Sequence, residues 1–385
     1  MGRRIVILAA AVGCLATLGA GLPGAAANWV IQPTPNVANV DDNDLVSVSC
    51  PGITCVAVGD YRLRSRDGRP LAEFWDGTQW TIQHTARTGD TSSLFTAVSC
   101  PAVNDCIAVG TNNSNTAAGV PLAEFWNGTK WAVQTIPAPP GSSSMSGVSC
   151  AAPDACTAVG FDFNTGAGAP FAERWDGTGW ALQTVAIPPG GNSGFNAVSC
   201  PTAVTCFAVG SGTDTSTGAP VPLAEKWDTA GWTIQAVPEP PRTDIGYLLA
   251  VDCRATGGCT AAGTYFADSG NEFILIERLR GGRWGVQRAP SPQGYNMNFL
   301  QAVSCPTAAG CTVAGTAEDS NIGKSVTLAL QRHHGQWVIQ PTANPATGNP
   351  SLTGLSCGPA GGCTAVGNTI LPGDAGTLTT LAEHR

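Results

Sequence analysis

Four short apolar segments recur in the same order along almost the entire chain. In the second copy they span residues 95–100, 106–110, 121–126 and 131–134, and turn residues follow each of them. Their apolar residues run almost continuously instead of alternating with polar ones, which is typical of strands covered on both faces. The pattern therefore predicts four β-strands per copy, and no long segment has the apolar spacing of a helix.

Paired cysteines set the period of this repeat. Fourteen of the fifteen cysteines fall into local pairs, whose first members recur every 50 to 53 residues. The pairs are Cys50 with Cys55, Cys100 with Cys106, Cys150 with Cys156, Cys200 with Cys206, Cys253 with Cys259, Cys305 with Cys311 and Cys357 with Cys363. A period in this range with strand-like segments is typical of a propeller or a solenoid. The chain therefore contains seven copies of one unit.

The two ends of the repeat distinguish between these architectures. The seventh copy stops at Arg385 before its fourth strand, whereas residues 29–33 match the fourth-strand segment 337–341 of the sixth copy. An open solenoid would need polar caps, and closure removes exposed sheet edges. We therefore predict an all-β fold, a seven-bladed β-propeller of four-stranded antiparallel blades. Residues 28–385 would form this single domain, closed by pairing segment 28–34 with the last blade.

The segment before the repeat has the pattern of a secretory signal. Two arginines at 3–4 precede an apolar stretch at 5–18, and three alanines at 25–27 form a small-residue cleavage site. We expect residues 1–27 to be a signal peptide and the protein to be secreted. Lipid anchoring at Cys14 is the alternative, because the residues before it loosely resemble a lipoprotein box.

In an exported chain, the local cysteine pairs predict disulfide bonds. Zinc binding is the alternative for each pair. No repeated His or further Cys lies close to the pairs, however, so a tetrahedral zinc shell could not be completed.

The unit resembles a kelch-type propeller blade. It shares the period, an Ala-Val-Gly sequence that ends the second strand, and a third-strand aromatic residue followed by a fourth-strand Trp. These aromatic pairs are Trp75 with Trp80, Trp126 with Trp131, Trp175 with Trp180 and Trp227 with Trp232. It departs from kelch in having one glycine instead of two, Trp in place of Tyr, closer aromatic residues and an added cysteine pair. It is more similar to secreted bacterial repeat proteins with Val-Ser-Cys-Pro, Cys-x-Ala-Val-Gly and Trp-Asn-Gly-x-x-Trp units. This resemblance covers residues 28–385 and implies export and a binding or scaffold role.

Antiparallel connectivity predicts two different faces of the disc. The disulfide-closed first-to-second turns and the tight third-to-fourth hairpins lie on one face, the stapled face. In hairpins such as 75–80, Asp-Gly supplies the residue with positive φ. The longer second-to-third and fourth-to-first connections lie on the opposite, loop-rich face. We expect ligand binding there, because rigid blades hold variable loops around one axis.

Departures from the repeat mark the candidate ligand-binding residues. The second-to-third loop of the first unit concentrates arginines, while the fifth and sixth units replace the third-strand Trp by Leu279 and Arg332 and carry tyrosines in or near their loops. The candidates are Tyr61, Arg62, Arg64, Arg66, Arg69, Tyr247, Tyr265 and Tyr295. Because arginine binds carboxylate and phosphate groups bidentately, the arginine loop fits an acidic polymer. The alternative is a solvated loop neutralised by Asp41, Asp42 and Asp44.

Two repeated residue types have a structural interpretation. Glu occupies one third-strand position in every unit except the sixth, where Leu330 replaces it. The series is Glu73, Glu124, Glu173, Glu225, Glu277 and Glu383. Because an enzyme site is unique rather than repeated, we expect these carboxyl groups to accept hydrogen bonds from the backbone or from an adjacent Arg or Trp. We place the Trp rings in the blade cores, with their indole N–H groups hydrogen-bonded.

The sequence predicts no catalytic residues, no cofactor and no metal site. It lacks a nucleophile elbow, a His-Glu-x-x-His motif and a phosphate-binding loop. The acidic residues at 41–44 and Asp214 could hold calcium, but acidic loops of this kind are more often simply solvated.

Composition narrows the function classes further. The net charge is −8 and no basic run indicates nucleic-acid binding, and no apolar segment after the signal is long enough to span a membrane. We expect a monomer that binds an extracellular glycan or protein without catalysis. The alternative is a carbohydrate-active enzyme, a lyase or glycosidase near the propeller axis; a glycosidase would need two carboxyl groups roughly 5–10 Å apart. A purely structural envelope protein is a third interpretation.

Overall fold

A computed structural model describes residues 28–65, 67–86, 92–113, 119–163, 168–241, 243–267, 270–308, 310–371 and 376–385. Every regular element within these ranges is a β-strand, and the strands form seven antiparallel sheets of four strands each. The predicted seven-bladed propeller is therefore confirmed. The predicted signal peptide and Cys14 lie outside the described residues.

The strands are numbered in chain order and the blades from the first complete sheet. Blades 1 to 3 contain β2 (Asp42–Ser49), β3 (Cys55–Arg62), β4 (Gly68–Trp75), β5 (Trp80–Gln83), β6 (Ser92–Ala102), β7 (Asp105–Asn113), β8 (Val120–Trp126), β9 (Trp131–Val133), β10 (Ser143–Ala152), β11 (Ala155–Asp162), β12 (Ala169–Trp175) and β13 (Trp180–Gln183). Blades 4 to 6 contain β14 (Gly194–Thr202), β15 (Thr205–Thr213), β16 (Pro220–Asp228), β17 (Gly231–Gln235), β18 (Thr243–Cys253), β19 (Cys259–Ala267), β20 (Glu272–Arg280), β21 (Arg283–Val286), β22 (Met297–Ser304), β23 (Thr312–Asp319), β24 (Lys324–His333) and β25 (Gln336–Gln340).

The seventh blade is built from both ends of the chain. It contains β26 (Asn349–Cys357), β27 (Cys363–Ile370), β28 (Leu378–His384) and, as its outer strand, β1 (Val30–Gln32). Strand β1 pairs antiparallel with β28, so that Val30 lies opposite His384 and Gln32 opposite Ala382. Trp29 is buried in the same core cluster as Leu381. The closing strand predicted from the sequence match is thus confirmed.

A β-bulge in the first strand of every blade explains the glycine of the Ala-Val-Gly sequence. In blade 2 the register between β6 and β7 shifts between Phe95 and Ala97, and the other six blades shift at the equivalent place. A Cβ atom at Gly110 would overlap the backbone carbonyl oxygen of Leu94. The same overlap occurs at Gly59, Gly160, Gly210, Gly263, Gly315 and Gly367. The bulge brings the two strands so close that only glycine fits.

A closed ring of hydrogen bonds joins the inner strands of neighbouring blades. The backbone N–H of the first cysteine in each disulfide donates to the residue before the equivalent cysteine in the preceding blade. Six acceptors are hydroxyl groups, those of Ser49, Ser99, Ser149, Ser199, Ser304 and Ser356, and the seventh is the carboxylate of Asp252. The bond from Cys50 to Ser356 closes the ring at 3.1 Å. The Val-Ser-Cys sequence therefore holds adjacent blades together.

The predicted disulfides are confirmed in every blade. They link the first strand to the second strand across the short turn between them. The seven bonds join Cys50 to Cys55, Cys100 to Cys106, Cys150 to Cys156, Cys200 to Cys206, Cys253 to Cys259, Cys305 to Cys311 and Cys357 to Cys363. The second cysteine of each pair is buried in the blade core, as Cys106, Cys156 and Cys206 illustrate. These fourteen sulfur atoms therefore have a structural role, and the alternative of zinc binding at the pairs is wrong.

Hairpin glycines have the predicted positive φ, but the predicted indole hydrogen bonds form for only three of the seven fourth-strand tryptophans. The buried indole N–H groups of Trp29, Trp232, Trp284 and Trp337 have no partner among the described residues, so the prediction is wrong for these four. Gly77, Gly128 and Gly177 have φ values of 101°, 88° and 90° in the hairpins. The fourth-strand tryptophans of blades 1 to 3 donate from their indole N–H groups to a glutamine of the preceding blade at 2.8–3.0 Å. The pairs are Trp80 with Gln32, Trp131 with Gln83 and Trp180 with Gln134. These tryptophans therefore bind adjacent blades to each other as well as filling the core.

Candidate functional site

A cleft opens on the loop-rich face beside blade 1. Its volume is about 720 Å³, and it lies among the second-to-third loop of this blade and the connections before and after the blade. The lining residues are 36–38, Tyr61, Leu63, 69–71, 82–86 and Ser93. Two of the predicted ligand-binding residues, Tyr61 and Arg69, are among them, and His84 joins them.

Strand pairing explains why Tyr61 and Arg69 lie together. They are directly opposite each other in the ladder between β3 and β4, where facing side chains project to the same side of the sheet. Tyr61 also packs against the core of blade 1, so its ring has a fixed position. Arg69 donates from Nη1 to the carbonyl oxygen of Gly68 at 3.0 Å. The cleft therefore presents an aromatic ring beside a guanidinium group.

The other arginines of this loop lie apart from the cleft walls. Arg62 is exposed and its Nη1 lies 3.7 Å from Oδ2 of Asp42. Arg64 is exposed in the loop that follows β3, and Arg66 lies outside the described residues. Neutralisation of the loop by its acidic neighbours, the alternative interpretation, therefore applies to Arg62.

The acidic residues beside this loop have hydrogen-bond partners in the protein. Asp42 accepts the backbone N–H of Leu378, and Asp44 accepts from Asn368 at 2.8 Å. Burial raises the pKa of Asp44 to about 6. Within the described ranges, no group of three or more His, Cys, Asp or Glu side chains could hold a metal ion.

Asp214, the other residue considered for calcium, also has partners within its own turn. Its carboxylate accepts from Ser216 and Thr217, and these hydrogen bonds lower its pKa to about 2. The carboxylate therefore stabilises the loop between β15 and β16.

The three tyrosines predicted from blades 5 and 6 are divided between different environments. Tyr265 packs against the core between blades 4 and 5 and stacks on Phe273, with ring centroids 5.5 Å apart. Tyr295 packs against the core between blades 5 and 6. The side chain of Tyr247 is partly buried, and its backbone carbonyl approaches Gly263. A ligand role for these residues stays a prediction.

The repeated glutamates are fully buried between blades, and their partners follow a rule that the sequence interpretation missed. Three of the carboxylates accept a backbone N–H at 2.9–3.3 Å: Glu124 from Ala86, Glu225 from Ala186 and Glu383 from Ala343. The predicted backbone acceptor role is confirmed for these three. Both carboxyl oxygens of Glu73, Glu173 and Glu277 have no hydrogen-bond partner among the described residues.

Proline explains the difference between the two sets. Each donor alanine stands three residues after the Gln that ends a fourth-strand segment, and the four remaining connections carry Pro35, Pro137, Pro238 and Pro290 at that position. Proline has no N–H to donate. The glutamates that follow the first three prolines are the unpaired ones, and Leu330 follows the fourth. An alternation of Ala and Pro in the sequence could therefore have identified the unpaired carboxyl groups.

Burial raises the pKa of every member of this series. The pKa is about 7 where the backbone N–H is present, at Glu124, Glu225 and Glu383, because that hydrogen bond favours the ionised form. It is about 8 at Glu73, Glu173 and Glu277, where burial acts alone. The carboxyl groups of the second set are therefore mostly protonated at neutral pH, as expected of neutral parts of a blade interface.

Comparisons with known proteins identify the fold. No protein-family model and no curated protein sequence matches the chain. Among solved structures, it is similar to an ulvan lyase of a polysaccharide lyase family bound to -[GlcA(1-4)Rha3S]-, at 10% identity, TM-score 0.57, and 89% and 97% coverage of the two chains. It is similar to a GH74 xyloglucanase from Xanthomonas campestris, at 12% identity and TM-score 0.55, covering 92% of this chain and 55% of that one. It is also similar to YCF48 bound to D1 peptide, at 14% identity, TM-score 0.51, and 93% and 94% coverage.

Proposed function

We propose that this propeller is a secreted binding module that recognises an acidic extracellular glycan in the blade 1 cleft of its loop-rich face. One observation carries the proposal: Tyr61 and Arg69 lie opposite each other on adjacent strands and line the same cleft of about 720 Å³. Small-molecule sites combine a concave, largely apolar surface with a few placed polar groups. This cleft is concave and is lined by apolar and polar groups in similar measure.

The chemistry of the lining residues favours a sugar that bears an acidic group. A guanidinium group forms two parallel hydrogen bonds with a carboxylate, and a phenol ring supplies an apolar surface with a polar edge. Leu71 and Ile82 extend the apolar wall, while Gln83 and His84 add further polar groups. Among the similar propellers, one is a polysaccharide lyase, one is a xyloglucanase and one is bound to a peptide, so the preference for a glycan rests on the chemistry of the cleft.

The sequence and the disulfide bonds support a location outside the cell. Seven disulfide bonds indicate an oxidising compartment. Within the part of the chain that the structure describes, no helix is long and apolar enough to cross a membrane. We propose that residues 1–27 direct export and that residues 28–385 act outside the cell as a single monomeric domain.

A carbohydrate-active enzyme is the second candidate function. The observation in its favour is the similar fold of the ulvan lyase and the xyloglucanase. His84 would be the titratable residue of the cleft best placed to exchange a proton with a bound sugar. Product formation separates this candidate from the binding module.

The test measures binding and turnover together. Purified mature protein is titrated calorimetrically with neutral and uronic acid-containing oligosaccharides, and the same mixtures are analysed for products. We expect binding of the acidic oligosaccharides, no products, and a loss of about tenfold or more in affinity in Arg69→Ala, because a charge-assisted hydrogen-bond pair is removed. Tyr61→Leu should also weaken binding while preserving the packing of this position.

Arg288→Ala is the matched control, because Arg288 is an exposed arginine in a fourth-to-first connection of another blade on the same face. Its affinity should equal that of the wild type. Equal affinities for Arg69→Ala and the wild type would refute the proposed site. Release of products by the wild type would replace the binding module with the enzyme.

A further inference from the structure

The guanidinium group of Arg174 lies between two blades and has both hydrogen-bond acceptors and an aromatic partner. Arg174 on β12 follows the repeated glutamate and points towards blade 4. Its guanidinium donates to Oγ1 of Thr157 at 3.2 Å and to the carbonyl oxygen of Ala203 at 3.0 Å. It also lies 3.8 Å from the centroid of the Trp227 ring, a cation–π contact. The third-strand Trp of the next blade is thus part of this arginine's environment.

Arg278 on β20 occupies the same position between blades 5 and 6. It lies opposite Thr260 in the ladder as Arg174 lies opposite Thr157. Arg332 of blade 6 stands where blade 4 has Trp227, and both lie opposite the fourth-strand Trp of their own blade. The substitution replaces the aromatic partner with a second guanidinium group.

The guanidinium of Arg278 is buried without the partners that Arg174 has. Arg278 is only 5% exposed, and its Nε and Nη1 atoms have no hydrogen-bond acceptor among the described residues. The Nε atom of Arg332 is buried and unpaired in the same way. Thr260 is the equivalent of Thr157, and its hydroxyl group lies 3.6 Å from Sγ of Cys311. Buried charged donors of this kind are costly unless an acceptor reaches them.

The surroundings are positively charged in a chain that is acidic overall. Arg280 is exposed and Arg254 is partly buried, and together with Arg332 their charges add to burial in lowering the pKa of Arg278 to about 10. Among the described residues, no carboxylate forms an ion pair with any of these four arginines. Burial raises the pKa of Asp252 and the charge of Arg254 opposes this only in part, while the carboxylate of Asp252 is engaged by the N–H of Cys305.

We propose that the junction of blades 5 and 6 at the stapled face is an oxyanion-binding site, in which a sulfate or phosphate group bridges the guanidinium groups of Arg278 and Arg332. Arg254 and Arg280 attract the anion from solvent. A tetrahedral oxyanion has enough acceptor oxygens to pair with both guanidinium forks, whereas a single carboxylate has two oxygens. The site is independent of the cleft proposed on the opposite face.

The decisive variant restores the partner present in the other interface. Arg332→Trp gives Arg278 the ring that Arg174 has, and it removes one of the two guanidinium groups. Wild type and variant are titrated with sodium sulfate and with sodium phosphate in the millimolar range, against sodium chloride of equal ionic strength, and the melting temperature and heat of binding are recorded. We expect saturable stabilisation of the wild type by both anions, and an affinity about tenfold or more lower in the variant.

Two further variants protect the result against a folding artefact. Arg280→Ala changes an exposed side chain and should weaken binding and its salt dependence while leaving the melting temperature in chloride unchanged. Trp227→Arg, the reverse exchange in blade 4, should introduce a second anion-dependent stabilisation. The same anion response in wild type and in Arg332→Trp would overturn the proposal.

The two anions also distinguish the source of the natural group. Sulfated and phosphorylated polysaccharides are added to the wild type in competition with inorganic sulfate. Stronger competition by the sulfated polymer would assign the site to sulfate esters, and stronger competition by the phosphorylated polymer would assign it to phosphate. Failure of both inorganic anions to bind would refute the site, whatever the outcome on the loop-rich face.

Discussion

The junction between blades 3 and 4 and the junction between blades 5 and 6 have the same backbone but different chemistry. At the first, Ser149 accepts the N–H of Cys200, Arg174 lies over Trp227, and Glu225 accepts the N–H of Ala186. At the second, the corresponding acceptor for Cys305 is Asp252, Arg332 stands at the position of the aromatic ring, and Leu330 follows Pro290. At the first junction all three of these groups have partners, although the indole N–H of Trp232 in blade 4 has none within the described part of the chain. At the second, the carboxyl group and its donor are both absent, whereas two buried nitrogen atoms of Arg278 have no partner among the described residues.

This comparison shows which changes the fold compensates. Where Pro290 removes the donor, Leu330 also removes the acceptor, so no polar group is left unpaired. Where Arg332 replaces the aromatic ring, Arg278 keeps its guanidinium, and two of its buried nitrogen atoms have no partner among the described residues. A buried carboxyl group that lost its donor, as at Glu73, Glu173 and Glu277, becomes neutral by keeping its proton, whereas a guanidinium group stays charged. The uncompensated change beside Arg278 therefore points to a ligand.

The largest expected effect concerns the bulge glycine of the second strand, which blades 4 and 6 both contain. In Gly210→Ala and Gly315→Ala, the new Cβ would overlap the carbonyl oxygens of Gly194 and Phe299 at the bulges of blades 4 and 6. We expect each variant to lose about 3 kcal/mol or more in free energy of unfolding, because backbone rather than a flexible side chain is in the way. Chemical denaturation measures the loss.

Gly212→Ala is the control in the same strand β15, since its Cβ would make only ordinary contacts with Pro188. If Gly210→Ala were as stable as this control, the bulge would not be what requires glycine.

Replacing either of the two interblade arginines should have a smaller effect on the free energy of unfolding, and the effects of the two replacements should differ. Arg174→Met removes two hydrogen bonds and the cation–π contact and should cost about 1–2 kcal/mol. Arg278→Met removes a buried guanidinium whose Nε and Nη1 atoms have no partner among the described residues, and keeps the apolar stem, so it should be neutral or stabilising. Denaturation in chloride buffer, without sulfate or phosphate, provides the comparison. Equal losses in the two variants would show that Arg278 has partners equivalent to those of Arg174.

The smallest expected effect comes from a substitution that removes the hydrogen-bond donor of Glu225, which then resembles the unpaired glutamates. Ala186→Pro removes the N–H that Glu225 accepts, and proline fits the connection because four other blades carry it there. The pKa of Glu225 should rise from about 7 towards the value of about 8 at Glu173. A carboxyl group with a raised pKa in the folded state keeps its proton while the unfolded chain releases it above its ordinary pKa of 4.5, so stability falls as the pH rises through this window.

We therefore expect Ala186→Pro to lose on the order of 1 kcal/mol more than the wild type between about pH 5 and about pH 8. Unfolding free energies at several pH values measure the difference, and any pH-independent effect of proline on the unfolded chain cancels. In a Glu225→Gln background the extra pH dependence should disappear. Its persistence there would assign the effect to another titrating group.

Much of the fold could be predicted because each signal lies within one repeat. Cysteine spacing gave the blade count and the disulfide partners, Asp-Gly gave the hairpin turns, and the match of residues 29–33 to 337–341 gave the closing strand. The partners of the buried glutamates were only partly predicted, because the donor lies in a connection about forty residues earlier in the chain. Grouping Tyr265 and Tyr295 by their nearness to the loops missed that they pack into different cores.

The strands, the turns, the local disulfides and the number of blades were all predictable from the amino-acid sequence. These depend on residues close together in the chain, where backbone conformation and loop closure decide the outcome. The pairing of side chains could be seen only in the folded protein. Arg174 lies over Trp227 of the next blade, the charge of Arg332 acts on Arg278, and Tyr61 and Arg69 line one cleft. The partners of a polar group depend on burial and on the geometry of neighbouring sheets, and no single repeat contains that information.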